Sequence, residues 1–265
     1  MRKLLLIACT ALLSLAIRAQ GIPLCTESPF KDGEKLELGL MFKWGLVNTE
    51  VGLVSVSLDQ ADDQYQASLK LKTAPFFDAF YKMREHFQSV FTVDGQLPLE
   101  ATRDTYQNGY TANNHFWFDW KAGVVHAQTS YNGQEPQTKD VPLKGKPYDV
   151  ISLIYYFRNL EWSACASGES SIVPCIVDDE IIDLQVTYRG PERIKVRKLG
   201  RFSANRFSCT VVAGQLFAGD QEVQVWVSAD DNHLPLAIML PLKMGTMWVW
   251  LKKWDGLKYE ITSKV

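Results

Sequence analysis

The sequence predicts an all-β protein, one large antiparallel sheet that is curved or barrel-like and carries a single packed α-helix. Three observations predict it: apolar residues that recur every second position, short turn signals between those runs, and one segment with a helical apolar stripe. The alternation is clearest where Leu36, Leu38, Leu40, Phe42 and Trp44 interleave with Lys35, Glu37, Gly39, Met41 and Lys43. A strand places such residues on one face, whereas a helix would scatter them around its circumference. The same period returns in Tyr65, Ala67, Leu69 and Leu71, and in Met83, Phe87, Phe91 and Val93. It recurs in Ile182, Leu184, Val186 and Tyr188, and in Val223, Val225 and Val227.

Between the runs stand Asp94-Gly95, Asn132-Gly133, Gly190-Pro191, Asp231-Asn232 and Asp255-Gly256, which favour short hairpins and therefore antiparallel pairing. A dozen or more strands follow, enough that an open sheet must curl or close to protect its edges. After Pro147, Asp149 can cap a helix whose stripe is Val150, Leu153, Ile154, Phe157 and Leu160, a face suited to packing on the sheet or plugging one end of it. A shorter helical turn is expected around Pro75 to Phe80. Pro142, Gly145 and Pro147 allow a hinge between two halves of the sheet near residues 140–147. No linker divides the chain, so residues 20–265 are expected to form one β-rich domain.

The first residues read as an export signal. Arg2 and Lys3 precede an apolar run from Leu4 to Ile17, and Ala19 lies just before Gln20, so cleavage is expected after Ala19 and residues 1–19 are set apart from the fold. The run is shorter than the roughly 20 residues a spanning helix needs, and no later segment predicts a transmembrane span. Only five apolar residues precede Cys9, too few for a lipoprotein signal. Removal takes away Arg2, Lys3 and Arg18 and no acid, which leaves 25 basic against 30 acidic groups and a formal charge of −5. That balance disfavours nucleic acid as a partner. Export points to the periplasm or cell envelope, where the four cysteines left after cleavage can oxidise. Cys165 and Cys175 flank a short Gly- and Ser-containing stretch, so a local bridge between them is the simplest pairing, with buried free thiols as the alternative.

The chain resembles the bacterial domain of unknown function family numbered 3108. The residues that carry the resemblance are Phe30, Gly33, Glu34 and Leu36 followed by Trp44-Gly45, the central YDVISLIYYFRNL of residues 148–160, and VWVSADDNHLPLAI of residues 225–238 followed by Gly245. The resemblance implies an exported, β-rich envelope protein and supplies no reaction and no catalytic residue.

Chemistry is sparse in the sequence. His86, His115, His126 and His233 stand singly, without ligand spacing, and no zinc, calcium or other metal motif is present. The acidic runs Asp230-Asp231 and Asp178-Asp179-Glu180 read as turns between strands, and no nucleophile elbow, phosphate loop or dinucleotide fingerprint occurs. Nothing calls for a cofactor or argues for an enzyme, although a site assembled from distant residues, such as a hydrolase acting on an envelope polymer, is a competing class. The remaining signal is aromatic. Trp248, Trp250 and Trp254 stand at even spacing, as do Phe116, Phe118 and Trp120, and regular strands would present each row on one face. Such rows stack sugars, line an apolar cavity or fill a core. The expected function is a non-catalytic binding or accessory module for a lipid-like or glycan ligand or another envelope protein, with a purely structural interaction module as a further class.

Overall fold

The computed structural model describes residues 22–94, 96–211, 222–242 and 244–265. The expected export signal and Gly95 lie outside the described residues. Fourteen strands form a single antiparallel sheet. The first eight are β1 (Glu34–Trp44), β2 (Val47–Ala61), β3 (Gln64–Thr73), β4 (Met83–Thr92), β5 (Pro98–Gln107), β6 (Tyr110–Asp119), β7 (Val124–Tyr131) and β8 (Gln137–Pro142). The helical turn α1 (Pro75–Asp78) interrupts them between β3 and β4, and the helix α2 (Val150–Arg158) with a 3-10 turn at Trp162–Ala164 follows β8. The chain then runs through β9 (Ser170–Val177), β10 (Glu180–Val196), β11 (Gly200–Val211), β12 (Val223–Ser228), β13 (Pro235–Pro241) and β14 (Thr246–Asp255).

The strand order is β8-β7-β6-β5-β4-β3-β2-β1-β14-β13-β12-β11-β10-β9, so two meanders meet where β1 pairs with β14. Asn-Gly turns make the tight connections. Asn108 and Gly109 both take positive φ, 48° and 97°, the backbone that the two-residue β5–β6 hairpin requires, and Asn132 and Gly133 do the same, 51° and 71°, at the start of the longer β7–β8 connection. Gly190-Pro191 departs from expectation: it lies inside β10, where a register shift between Tyr188 and Gly190 bends the strand instead of ending it. Asp255-Gly256 closes β14 and leads into the C-terminal segment rather than a hairpin.

The two edge strands, β8 and β9, are brought together rather than left open. Tyr148 forms a parallel bridge with Cys175, its N–H donating to the Pro174 carbonyl at 3.0 Å and its carbonyl accepting from Ile176 N–H at 2.9 Å. Lys139–Asp179 and Lys144–Asp183 ion pairs span the same seam at 2.9 and 2.6 Å. Ile176 of β9 packs with Ala101, Phe116, Val125 and Val141 from β5 to β8, so the sheet curls into a barrel-like ring. Residues 140–147 end β8 and lead the chain across that seam; they are not a hinge within the sheet. Two of the β9 edge groups, the Pro174 carbonyl and the Ile176 N–H, are thereby satisfied.

Helix α2 lies inside the ring. Asp149 caps it, accepting from Ile151 and Ser152 N–H, and Ser89 of β4 donates to the second carboxylate oxygen at 2.7 Å. Burial raises the Asp149 pKa, and these three donors together with the Ser152 hydroxyl oppose the rise. The expected stripe is only partly the buried face: Leu160 is buried and Ile154 and Phe157 pack on the core, but the most buried helical positions lie elsewhere. Val150 is exposed, while Ile151, Tyr155 and Arg158 are buried, because a helix enclosed by a curved sheet is covered on most sides and Arg158 finds its partner in Glu34. Phe30, Leu58, Tyr65 and Phe91 pack on Ile151 and Tyr155, and Trp162, Tyr188, Phe207 and Val227 close the core beyond its C-terminal end.

Candidate functional site

The two aromatic rows have separate fates. In β14 the register sets Trp250 opposite Gly39 and Trp248 opposite Met41, but beyond Leu251 it slips, so that Lys253 faces Glu37 and Trp254 faces Leu36. The extra residue, Lys252, is a bulge that puts Trp254 on the face of Leu251 and Leu38, opposite to Trp248 and Trp250. The expected single row of three is therefore corrected by one residue of register. Trp248 and Trp250 are half-buried and stack at 4.9 Å and 9°, and Trp226 of β12 joins the stack at 5.5 Å. Phe116 and Phe118 are buried in the core between β5, β7 and β8, and Trp120 stacks on Phe118 with its indole N–H held by the Pro98 carbonyl at 2.7 Å. That row is core, because its face is the one that closes on Ile176 across the seam.

The inner face of the ring has two unlike walls. On β1 and β14 to β12, Leu40, Val249, Ile238 and Val225 are register neighbours, and Phe42, Met247 and Leu240 form the next row. All but Leu40 are half-buried, an apolar surface that the core does not fully close. The wall formed by β4 to β6 is polar. The Glu85 carboxylate accepts from Thr105 at 2.7 Å, Gln107 at 2.6 Å and Arg103 Nε at 3.3 Å. Arg103 also lies over the Phe87 ring and 3.9 Å from Asp178, and Asn114 donates to Asp178 at 3.0 Å. The Asn114 side-chain oxygen is buried with no partner among the described residues, beside a pocket of about 20 Å³ lined by Arg103, Phe116, Asp149 and Ile176. Such a surface takes an apolar chain on one side and a polar group on the other. The sequence reading missed Glu85, Arg103 and Asn114. Their signal was parity: Glu85 occupies the same face as Met83, Phe87 and Phe91, a charged group in an apolar series.

The residues of the resemblance form a structural clamp. Arg158 binds Glu34 through two contacts of 2.5 and 2.8 Å, with both side chains at least 98% buried, and donates to the carbonyls of Asn232 and His233. Burial works against the Arg158 charge, but Glu34 outweighs it and the pKa stays above the ordinary value. Asp230 accepts from Ser228, Asn232 N–H and Ser263, while Asn232 exchanges hydrogen bonds with Tyr259 and Glu260. The acidic turn thus ties helix, first strand and C-terminal segment together. A cleft of about 690 Å³ beside it gathers Cys25, Glu27, Glu161, Asp231 and His233. Two of its carboxylates are committed, Glu27 to Lys258 and Tyr259, and Glu161 to Ser163. His233 Nδ1 lies 2.6 Å from the Arg158 carbonyl and so donates its proton there. Among the other histidines, His86 meets Ser68, His115 meets Glu100 and His126 meets Asp140. Among the described residues no three His, Cys, Asp or Glu side chains are placed to hold a metal.

The expected Cys165–Cys175 bridge is not formed. Hydrogen bonds from Gly168 and Tyr188 hold the loop after Cys165 beside Tyr188, whereas Cys175 pairs with Ile182. Six residues of β10 separate those points, about 20 Å at strand rise, far beyond disulfide reach. Cys175 is a free, buried thiol whose pKa burial pushes up; burial also raises Cys25 to about 11 and Cys209 to about 12. Maleimide labelling of the native protein at neutral pH is expected to leave Cys175 unmodified until denaturant is added. Rapid native labelling at Cys175, or its recovery in a disulfide peptide, contradicts this placement.

Among the described residues no helix is long and apolar enough to cross a membrane. No curated protein matches the chain. Among solved structures, the chain resembles a β-barrel-like protein of the domain of unknown function family DUF1849 from Brucella abortus, with a TM-score of 0.59, 10% identity, and coverage of 87% of this chain and 100% of the other. That likeness shows the fold. A protein described as a lipoprotein from Parabacteroides distasonis (TM-score 0.32, 11% identity, 87% and 99% coverage) is more distant. So is one described as exported, with a YmcC-like fold, from Bacteroides fragilis (0.34, 6%, 88% and 99%). The model of a protein family of unknown function, DUF3108, matches residues 40–251, spanning the sheet from β1 to β14, and the chain belongs to that family.

Proposed function

We propose that the protein is an exported envelope module, released by cleavage after Ala19, that binds an amphipathic ligand inside its ring without transforming it. The observation that carries this reading is the two-walled interior. The half-buried rows Val249, Ile238 and Val225 and Phe42, Met247 and Leu240 offer an apolar chain a surface, and Arg103, Gln107 and Asn114 offer a polar head its partners. An enzymatic reading is less supported, because two carboxylates of the cleft around His233, Glu27 and Glu161, are engaged in structural contacts. A glycan reading rests on the half-buried Trp248–Trp250 stack outside the apolar rows.

Native mass spectrometry of protein taken from the envelope fraction tests this directly. A mature chain starting at Gln20 and carrying a lipid-sized adduct is expected. Leu240→Asp, which puts a charge into the apolar row at a half-buried position, is expected to weaken binding of a fluorescent fatty-acid probe by roughly tenfold or more. Trp250→Ala is expected to leave it unchanged. An apo mass together with unaltered probe binding in Leu240→Asp removes the reading; loss of oligosaccharide binding in Trp250→Ala favours the glycan alternative.

A further inference from the structure

Antiparallel hairpins alternate between the two ends of the ring, and the exposed large apolar side chains gather on one end. The β1–β2 turn carries Trp44, Leu46 and Val47, the β3–β4 connection carries Phe76, Phe80 and Tyr81, and the β5–β6 turn is flanked by Tyr106 and Tyr110. The β13–β14 turn adds Leu242 and Met244. These four connections serve eight strands that are consecutive in the sheet, β6 through β1 to β13, so the tips form one continuous arc.

The tips also touch one another. A Cβ on Gly245, whose φ is +81°, would strike the Lys43 carbonyl and the Trp44 side chain, so the β13–β14 turn lies directly on the β1–β2 turn. Ala74 N–H donates to the Val51 carbonyl, Asn108 N–H donates to the Lys82 carbonyl, and Lys82 Nζ sits 5.3 Å from the Tyr106 ring centre. Leu46 is fully exposed, and Phe76 and Phe80 are each 71% exposed. Among the described residues nothing covers these apolar groups on four separate turns.

Charge selects the occupant. The acids near the arc are already neutralised, Asp78 by Arg84 at 2.5 Å and Glu50 by Lys252 at 2.6 Å, while exposed Lys43, Lys72 and Lys82 make no ion pair among the described residues. The opposite end is mixed in charge, with exposed Asp62 and Asp63 at the β2–β3 turn and Asp231 at the β12–β13 turn beside Lys121 at the β6–β7 turn and Lys198 at the β10–β11 turn. On the arc's own end, the β9–β10 turn with Asp178 and Asp179 bounds the patch. Aromatic and aliphatic tips among unpaired lysines suit the interface of an anionic bilayer, where rings sit at headgroup depth and lysines meet lipid phosphates.

The geometry points to this arc as a membrane-docking rim that seats the ring, end on, upon an anionic lipid surface. The inference stands on the exposed turns and is independent of whether the interior holds a ligand. Flotation of the full chain tests it, with vesicles of phosphatidylethanolamine and phosphatidylglycerol compared with vesicles of phosphatidylcholine. The wild type is expected to float with the anionic vesicles. Lys43→Glu with Lys82→Glu is expected to lower the bound fraction by roughly tenfold or more, since one lysine near such a surface contributes about fivefold. Leu46→Ser with Phe76→Ser and Phe80→Ser is expected to abolish flotation, and Lys121→Ala at the opposite end to leave it intact. The thermal transition of each variant checks folding, and the single Leu46→Ser, at a fully exposed tip, supplies the readout if the triple variant does not fold. Absence of wild-type flotation, or flotation unchanged by both sets of substitutions, overturns the inference. So does a dimer that the serine variant dissociates, which would make a second copy the occupant. Flotation without an interior ligand overturns only the binding reading, and a retained ligand without flotation overturns only this one.

Discussion

Arg158→Ala is expected to destabilise the fold by about 3–5 kcal/mol, because it leaves the buried Glu34 carboxylate without its counter-charge. The loss extends past one pair. Arg158 also donates to two carbonyls of the 230–233 turn and lies against the Phe30 and Tyr155 rings, so its removal loosens the join between helix α2, strand β1 and the β12–β13 turn. Arg158→Met combined with Glu34→Leu removes both charges and fills similar volume, and is expected to regain most of the loss. Denaturant unfolding of the two variants reads the difference. A single-variant cost below about 1 kcal/mol would mean that the pair is hydrated and the clamp is not a buried junction.

The second large effect is expected at Trp162. Its side chain is 3% exposed, packs on Phe207 with ring centres 4.2 Å apart and on Phe157 at 6.0 Å, and donates its indole N–H to the Phe157 carbonyl at 3.1 Å. Trp162→Ala therefore removes a large buried ring and a helix-end hydrogen bond together, and about 3–5 kcal/mol is expected in the same unfolding measurement. Trp162→Phe keeps most of the volume and loses the donor, so a smaller cost is expected. Equal costs for the two would place the energy in the hydrogen bond rather than in packing.

The strands were legible because their faces differ. Where Leu36, Leu38 and Leu40 alternate with Lys35 and Glu37, the two-residue period survives in the sequence, and the structure places a strand there from Glu34 to Trp44. Helix α2 was legible from its cap, since Asp149 serves both orphan N–H groups and its place is fixed locally. Its buried face was not, because Arg158 is tolerable inside only by virtue of Glu34, 124 positions earlier, and no local pattern encodes that meeting. The tryptophan row failed for a related reason. One inserted residue, Lys252, inverts every later side chain in β14, and the bulge depends on pairing with β1 rather than on β14 alone. The site in the ring was hidden because its walls come from strands far apart in the chain, although Glu85 marks one of them.

The pairing of β1 with β14 also bears on how the chain finds its fold. Within each meander every strand pairs with a sequence neighbour, so those hairpins close short loops and form with little entropic cost. The β1–β14 ladder instead joins segments some two hundred residues apart, and it fuses the two meanders into one sheet. The N- and C-terminal segments meet nearby, where Lys258 pairs with Glu27 at 3.1 Å. A circularly permuted chain, joined there and opened between the 3-10 turn and β9, would make all fourteen strands consecutive, lower the contact order and turn the slowest pairing into a local one.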